Sequence, residues 1–217
     1  MIYHILGKSN NMISLLLDTL SYRNGLVEVS VVQNIPVGET PLFRLENSGL
    51  RVRTIDGDDW EEGDYKGLLL GVIRVLTKRT VFKAFYESHF ILEQEYTTLL
   101  HPDASISIQT DIGHGVFISA GVVVAPYVEL GNLVTINRNA SIGHHTKIGK
   151  FSTLNPGCNI AGGSTIGEYT TIGMGANIFD GVSVGSNTII GAGSLVTKDI
   201  PDNVIAYGSP AKVVREI

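Results

Sequence analysis

Two adjacent histidines, His144 and His145, are the residues of this chain best suited to proton-transfer chemistry. Imidazole is the side chain whose unperturbed titration lies closest to neutral pH, so a histidine beside a bound ligand can act as general base and then general acid. A metal centre is the other use of the pair, with Asp180 as a third donor. Neighbouring histidines on a turn diverge, and no cysteine or carboxylate cluster completes a tetrahedral set, so no metal is expected. Asn137 and Asn155 are the next candidates. They can contact a ligand, or they can simply hold a left-handed turn. The stretch Gly7-Lys8-Ser9-Asn10-Asn11 has the place of a phosphate-cradling turn, where backbone N–H groups and a helix start meet an anion. It matches neither G-x-G-x-x-G nor a P-loop, and an ordinary strand-to-helix turn accounts for it equally. The single cysteine, Cys158, rules out an internal disulfide framework and fits a reducing compartment.

What must position His144 is a repeat. From Ile106, steps of six reach Ile112, Ile118, Val124, Leu130, Ile136, Ile142, Ile148 and Leu154. They continue through Ile160, Ile166, Ile172, Ile178, Val184, Ile190 and Val196 without a slip of phase. Neither a helix of period 3.6 nor an alternating strand gives this spacing. A hexapeptide β-helix does. Three hexapeptides make one triangular coil, so eighteen residues separate stacked neighbours and the series spans roughly five coils, about 4.8 Å apart. Each aliphatic points inward, and Gly or Asn at the corners accepts positive φ. Cys158 falls at a small inward position and reads as a buried hydrophobe. The same spacing puts His144 at a corner with Pro126 below it, Gly162 above it and Asp180 one coil further on. It also stacks Asn155 over Asn137. Glycine-lined turns at Met174-Gly175 and Gly191-Ala192-Gly193 leave room for a long thin ligand, although the coil corner alone also calls for glycine.

The preceding part of the chain has a different pattern. Residues 2–6 and 27–32 read as strands, and Met12 to Leu20 carries helical spacing between them. Leu68 to Val72 reads as a third strand and Thr77 to Tyr86 as a second helix. This predicts a small α/β, Rossmann-like domain over residues 1–95, with a parallel sheet, followed by the β-helix over 96–217 and a C-terminal cap. The chain has 217 residues and a net charge of −5, and no run of like charge, which argues against a nucleic-acid or membrane surface. It has no secretory leader or membrane span, so a cytoplasmic protein is expected.

Several stretches together carry a family resemblance: Leu100-His101-Pro102, Ala140-Ser141-Ile142-Gly143-His144, Ile148-Gly149-Lys150-Phe151, Asn155-Pro156-Gly157 and Gly208-Ser209-Pro210-Ala211-Lys212, with the N-terminal βαβ pattern. The chain resembles the bacterial hexapeptide-repeat acyltransferases. More closely, it is similar to the nucleotide-sugar N-acetyltransferases of bacillosamine, perosamine and related 4-amino-4,6-dideoxy sugars (the PglD-like group, with sialic acid O-acetyltransferases nearby). The resemblance implies a left-handed β-helix and a homotrimer with acetyl-CoA bound between neighbouring β-helices. It implies an N-acetyltransferase acting on the C4 amine of a nucleotide-linked sugar for surface glycan (lipopolysaccharide-type) synthesis. His144 becomes the general base, the N–H of Gly162 a donor to the oxyanion, and Thr153, Gly162, Met174 and Ala192 contacts to the cofactor. Asn137 becomes a sugar contact, and Gly7, Lys8, Ser9, Asn10, Gln33 and Asn34 the nucleotide contacts. The chain departs from the family in four places. His145 stands where an acidic residue usually follows the base, and Thr153 where a histidine is usual. Lys8-Ser9-Asn10-Asn11 replaces a glycine-rich turn with a histidine, and Gln33-Asn34 replaces acidic residues at the end of the second strand. Transfer to a hydroxyl, as in sialic acid O-acetylation, and a non-catalytic or metal-binding solenoid are the competing readings.

Overall fold

The computed structural model describes residues 2–23, 25–33, 48–60 and 67–217. Contacts divide the chain into two units, Met1–Leu99 and Leu100–Ile217.

In the first unit β1 (Ile2–Leu6), α1 (Asn10–Ser21) and β2 (Val27–Gln33) follow in the order read from the sequence. Then come β3 (Leu50–Asp56), β4 (Leu68–Leu70) and α2 (Val75–His89). The sheet order is β3-β2-β1-β4, and each pair is parallel. Most of β1 and β2 is apolar because both faces are covered, and Ile5, Leu6, Val29, Val31 and Val32 are buried. α1 buries Met12, Ile13, Leu16, Leu17 and Leu20, the stripe its sequence spacing predicts. The sequence reading missed β3. Its Leu-Arg-Val-Arg-Thr-Ile-Asp run alternates, and the arginines hide a strand whose one side is wet. Lys78 on α2 is buried at 1% exposure, and burial pushes its ammonium down to about 7.

The second unit is a parallel β-helix of the left-handed kind, built from two-residue rungs. One face runs from Ser105–Ile106 to Leu195–Val196 and a second from Asp111–Ile112 to Ser183–Val184. The third carries Phe117–Ile118 through Ile189–Ile190. Rungs pair eighteen residues apart, as in Ser141↔Asn159 and Ile142↔Ile160. The inward aliphatics from Ile118 to Val196 are all buried, and each contributes roughly 1.5–3 kcal/mol. The other inward column, two residues earlier, holds Val, Ala and Cys158 together with hydroxyl residues. Those hydroxyls are satisfied within the stack: Ser152 Oγ donates to Gly167 O at 2.8 Å, Ser164 Oγ to Phe179 O at 2.9 Å and Thr170 Oγ1 to Gly185 O at 2.7 Å. Cys158 is fully buried, and its thiol is pushed up to about 12, which leaves it an inert packing group.

The corners correct one expectation. Positive φ falls on the third residue after each aliphatic from Ile112 to Ile190, and Tyr127, Leu133, His145, Phe151 and Tyr169 occupy that place as well as Gly and Asn. The glycine directly after an aliphatic serves another purpose. A Cβ at Gly143 would lie 2.5 Å from the N of Gly162, and one at Gly173 2.5 Å from the N of Ala192. These glycines let one coil close on the next.

Beyond Val196 the spacing drops from eighteen to sixteen, with Ile189 opposite Ile205. Val204–Gly208 continues the third face in parallel, and Ala211–Glu216 turns back antiparallel on it. That hairpin caps the end of the stack. No helix among the described residues is long and apolar enough to cross a membrane.

Candidate active site

Gly143 lets the next coil close on its own coil, which brings His144 directly beneath Gly162. A Cβ at Gly162 would stand 2.7 Å from His144 Cε1, 2.8 Å from Nε2 and 3.1 Å from Nδ1. The imidazole therefore lies along the Gly162 backbone, where only glycine leaves room for it. The carbonyl of His144 accepts from the N–H of Gly163 at 2.8 Å, which locks the two corners together. Among the described residues the N–H of Gly162 has no hydrogen-bond partner. His144 is exposed, as is His145.

His144 Nδ1 lies 3.1 Å from His145 Nδ1, with the rings perpendicular at 85°. His145 in turn lies 4.9 Å from the Tyr127 ring, one coil below. Tyr127 Oη accepts from Gln109 Nε2 at 3.0 Å, a further coil down. On the adjoining face Lys147 Nζ and Glu129 Oε1 pair at 2.8 Å. Among the described residues no group of three His, Cys, Asp or Glu side chains could hold a metal ion.

The other residues singled out on the β-helix fall elsewhere in the chain. Met174 and Ala192 stack at the opposite end of the first face from His144, joined by Gly193 N–H to Met174 O at 2.8 Å. Met174 is 60% exposed, and a Cβ at Gly175 or Gly193 beside it would meet nothing within 4 Å. That corner is open to solvent. Asn137 lies at the end of the third face that leads to the same corner, 2% exposed, its Nδ2 donating to Leu154 O at 3.1 Å. Asn155 repeats the bond to Ile172 O at 2.9 Å one coil above. Thr153 sits on the third face and is only 3% exposed. One chain thus joins His144 to Gly162, and gathers Met174, Ala192 and Asn137 around a second corner, but does not unite the two groups.

In the first unit Gly7 ends β1 at φ +82°, and a Cβ there would lie 2.9 Å from Val81 Cγ1. Positive φ and close approach both require glycine. Lys8 Nζ donates to Gln33 Oε1 at 3.2 Å, so the turn after β1 and the end of β2 meet through two of the expected residues. Ser9 caps α1 by position, without a side-chain bond, and Asn10 opens the helix exposed to solvent. Asn34 lies outside the described residues. A cavity of about 430 Å³ opens at the carboxyl ends of β2 and β3, lined by Gln33, Asp56, Gly57 and Asp58 with Ser88 and His89 of α2. Ligands of open parallel sheets bind at that edge. Asp56 is in register with Gln33, so β3 brings an acidic side chain beside the place where β2 has none. Sequence reasoning overlooked Asp56 because it overlooked β3. The alternating run ending in Asp56-Gly57 was the available signal.

Residues 145–180 and 163–198 match the bacterial transferase hexapeptide family (six repeats). No curated protein matches the chain. Among solved structures it is similar to PerB from Caulobacter crescentus in complex with CoA and GDP-perosamine, at 25% identity and a TM-score of 0.75, covering 99% of this chain and 97% of that one. The acetyltransferase domain of PglB from Neisseria gonorrhoeae FA1090, in complex with acetyl coenzyme A, is 24% identical with a TM-score of 0.78, covering 98% of each chain. WeeI from Acinetobacter baumannii AYE is 18% identical with a TM-score of 0.78, covering 99% of this chain and all of that one. The latter two likenesses speak to the fold.

Proposed function

We propose that this protein is an acyltransferase that moves the acetyl group of acetyl-CoA to the C4 amine of a nucleotide-linked 4-amino-4,6-dideoxy sugar. The observation that carries the reading is the His144 imidazole, exposed, resting on the bare backbone of Gly162 and bonded through Nδ1 to its neighbour. Similarity over the whole chain to PerB, a protein solved with CoA and GDP-perosamine, supports the substrate class.

His144 Nε2 accepts the proton that the amine loses as it attacks the thioester carbonyl. The Gly162 N–H donates to the oxyanion that forms there. His144 then returns its proton to the leaving thiolate, and the ring ends as it began. The open corner at Gly175 and Gly193 fits the thin pantetheine arm of the cosubstrate, beside Met174 and Ala192. Because this corner and that of His144 terminate opposite ends of one face, a site using both needs a second β-helix. A homotrimer with acetyl-CoA between neighbours meets that need, and Asn137 then meets the sugar. In the N-terminal unit, read as Rossmann-like, Gly7, Lys8, Ser9, Asn10, Gln33 and Asn34 hold the nucleotide, with Asp56 adding an acceptor for ribose or base. A cytoplasmic place in surface glycan synthesis follows from these substrates.

The test is thiol release from acetyl-CoA with a panel of UDP-, dTDP- and GDP-linked 4-amino sugars and hydroxyl acceptors. An amino sugar should respond, and His144→Ala should lower kcat about 10²–10⁴-fold. A response to hydroxyl acceptors alone, or a His144→Ala rate within about tenfold of the parent, overturns the reading.

A further inference from the structure

The His144–His145 contact has a chemical requirement built into it. Two Nδ1 atoms 3.1 Å apart form a hydrogen bond only when one carries the proton and the other offers a lone pair. The two rings are therefore locked in complementary states. His145 is the better anchored partner. Its backbone sits at φ +58°, and its N–H donates to Pro126 O at 3.2 Å. Its ring packs on Tyr127, whose hydroxyl is held by Gln109 from the coil beneath. Among the described residues His144 has no such buttress of its own; its ring crosses the Gly162 backbone and meets His145 edge to face.

We propose that His145 is a positioning residue: as a neutral ring it accepts the Nδ1–H of His144, holding His144 in the tautomer whose Nε2 lone pair is free. This rests on the acetyl-transfer reading above. The opposite arrangement, with His145 donating, would put the ring proton of His144 on Nε2 and remove the base. The usual orienting group for such a base is a carboxylate, which adds charge as well as direction. His145 supplies direction without charge. During turnover His144 gains a proton at Nε2 from the amine and passes it to the thiolate. Its Nδ1–H stays bonded to His145, which neither gains nor loses a proton.

Two variants of the full chain and one spectrum test this. His145→Asn keeps an acceptor (Oδ1) and a residue that tolerates positive φ. His145→Gly keeps the backbone and removes the acceptor. With a responsive amino sugar, His145→Gly should lose at least about tenfold in kcat while KM for acetyl-CoA stays within about twofold, since misdirection of a catalytic group acts on the chemical step. His145→Asn should stay within about threefold of the parent. Nitrogen-15 NMR of the histidine rings should find His144 protonated at Nδ1 in the parent and in His145→Asn, and no longer held so in His145→Gly. A His145→Gly kcat within about twofold of the parent, or a parent His144 protonated at Nε2, overturns the assignment. The spectrum needs no turnover, so it decides the tautomer even where no acceptor responds or the Gly variant fails to fold. A fully active His144→Ala would instead overturn the general-base reading itself.

Discussion

At the scale of single residues, the eighteen-residue stack turned a count into a contact: Gly162 lies over His144, as adding eighteen to its number predicts. The arithmetic could not say which way the ring points, nor that His145 meets it through Nδ1, because rotamers follow from packing across coils. The geometry makes Gly162 a sharp probe. Its φ is not positive, so alanine is allowed by the backbone, but the new Cβ would fall within 2.8 Å of two imidazole atoms. Gly162→Ala should therefore leave the unfolding free energy within about 1 kcal/mol of the parent, since the exposed ring can swing away. It should cost at least about tenfold in kcat. Combined with His144→Ala it should cost nothing further, which a double-mutant cycle reads directly. The proposed nucleotide contacts were only half legible. Lys8 and Gln33 do meet, whereas Asp56 comes beside Gln33 only through a strand whose arginines concealed it.

At the scale of elements, the β-helix was readable because every hexapeptide repeats one physical demand, an inward aliphatic. The role of its glycines was not, since one letter serves two purposes. Gly149 follows an aliphatic, and a Cβ there would lie 2.5 Å from the Glu168 N. Gly157 sits at a corner at φ +67° with nothing within 4 Å of its would-be Cβ. Gly149→Ala should destabilise by more than about 2 kcal/mol through overpacking against backbone. Gly157→Asn should cost less than about 1 kcal/mol. Denaturant midpoints compare them. In the first unit α2 carries a buried amine, which is legible only once the helix is docked. Folded Lys78 titrates at about 7 against 10.5 for the free side chain. Between those values the unfolded chain binds a proton that the folded one does not, so stability should rise as pH increases from about 7 to 10. Lys78→Met should flatten that slope, with the single tryptophan, Trp60 of the same unit, as the reporter.

At the scale of the whole molecule, the chain combines one part whose sequence announces its fold with another whose sequence shows most of its elements but not their order in the sheet. The β-helix unit is described by a period; the sheet of the N-terminal unit depends on four different strands, and on their order β3-β2-β1-β4, which no local pattern encodes. Recognition chemistry assigned to that unit is correspondingly harder to read than the histidine of the repeat. The strict spacing has a further consequence. A β-helix of this kind is indexed like a thread, and a change in length is felt as rotation. Eighteen extra residues inserted after Gly163 would raise everything above by one rung, about 4.8 Å, and return each side chain to its own face. Six would add a third of a turn, bringing the Met174 corner over that of His144 and abolishing activity. Both insertions preserve the hydrophobic pattern and should fold with similar circular dichroism. Function in this protein is thus sensitive to chain length modulo eighteen, while folding is sensitive only to chain length modulo six.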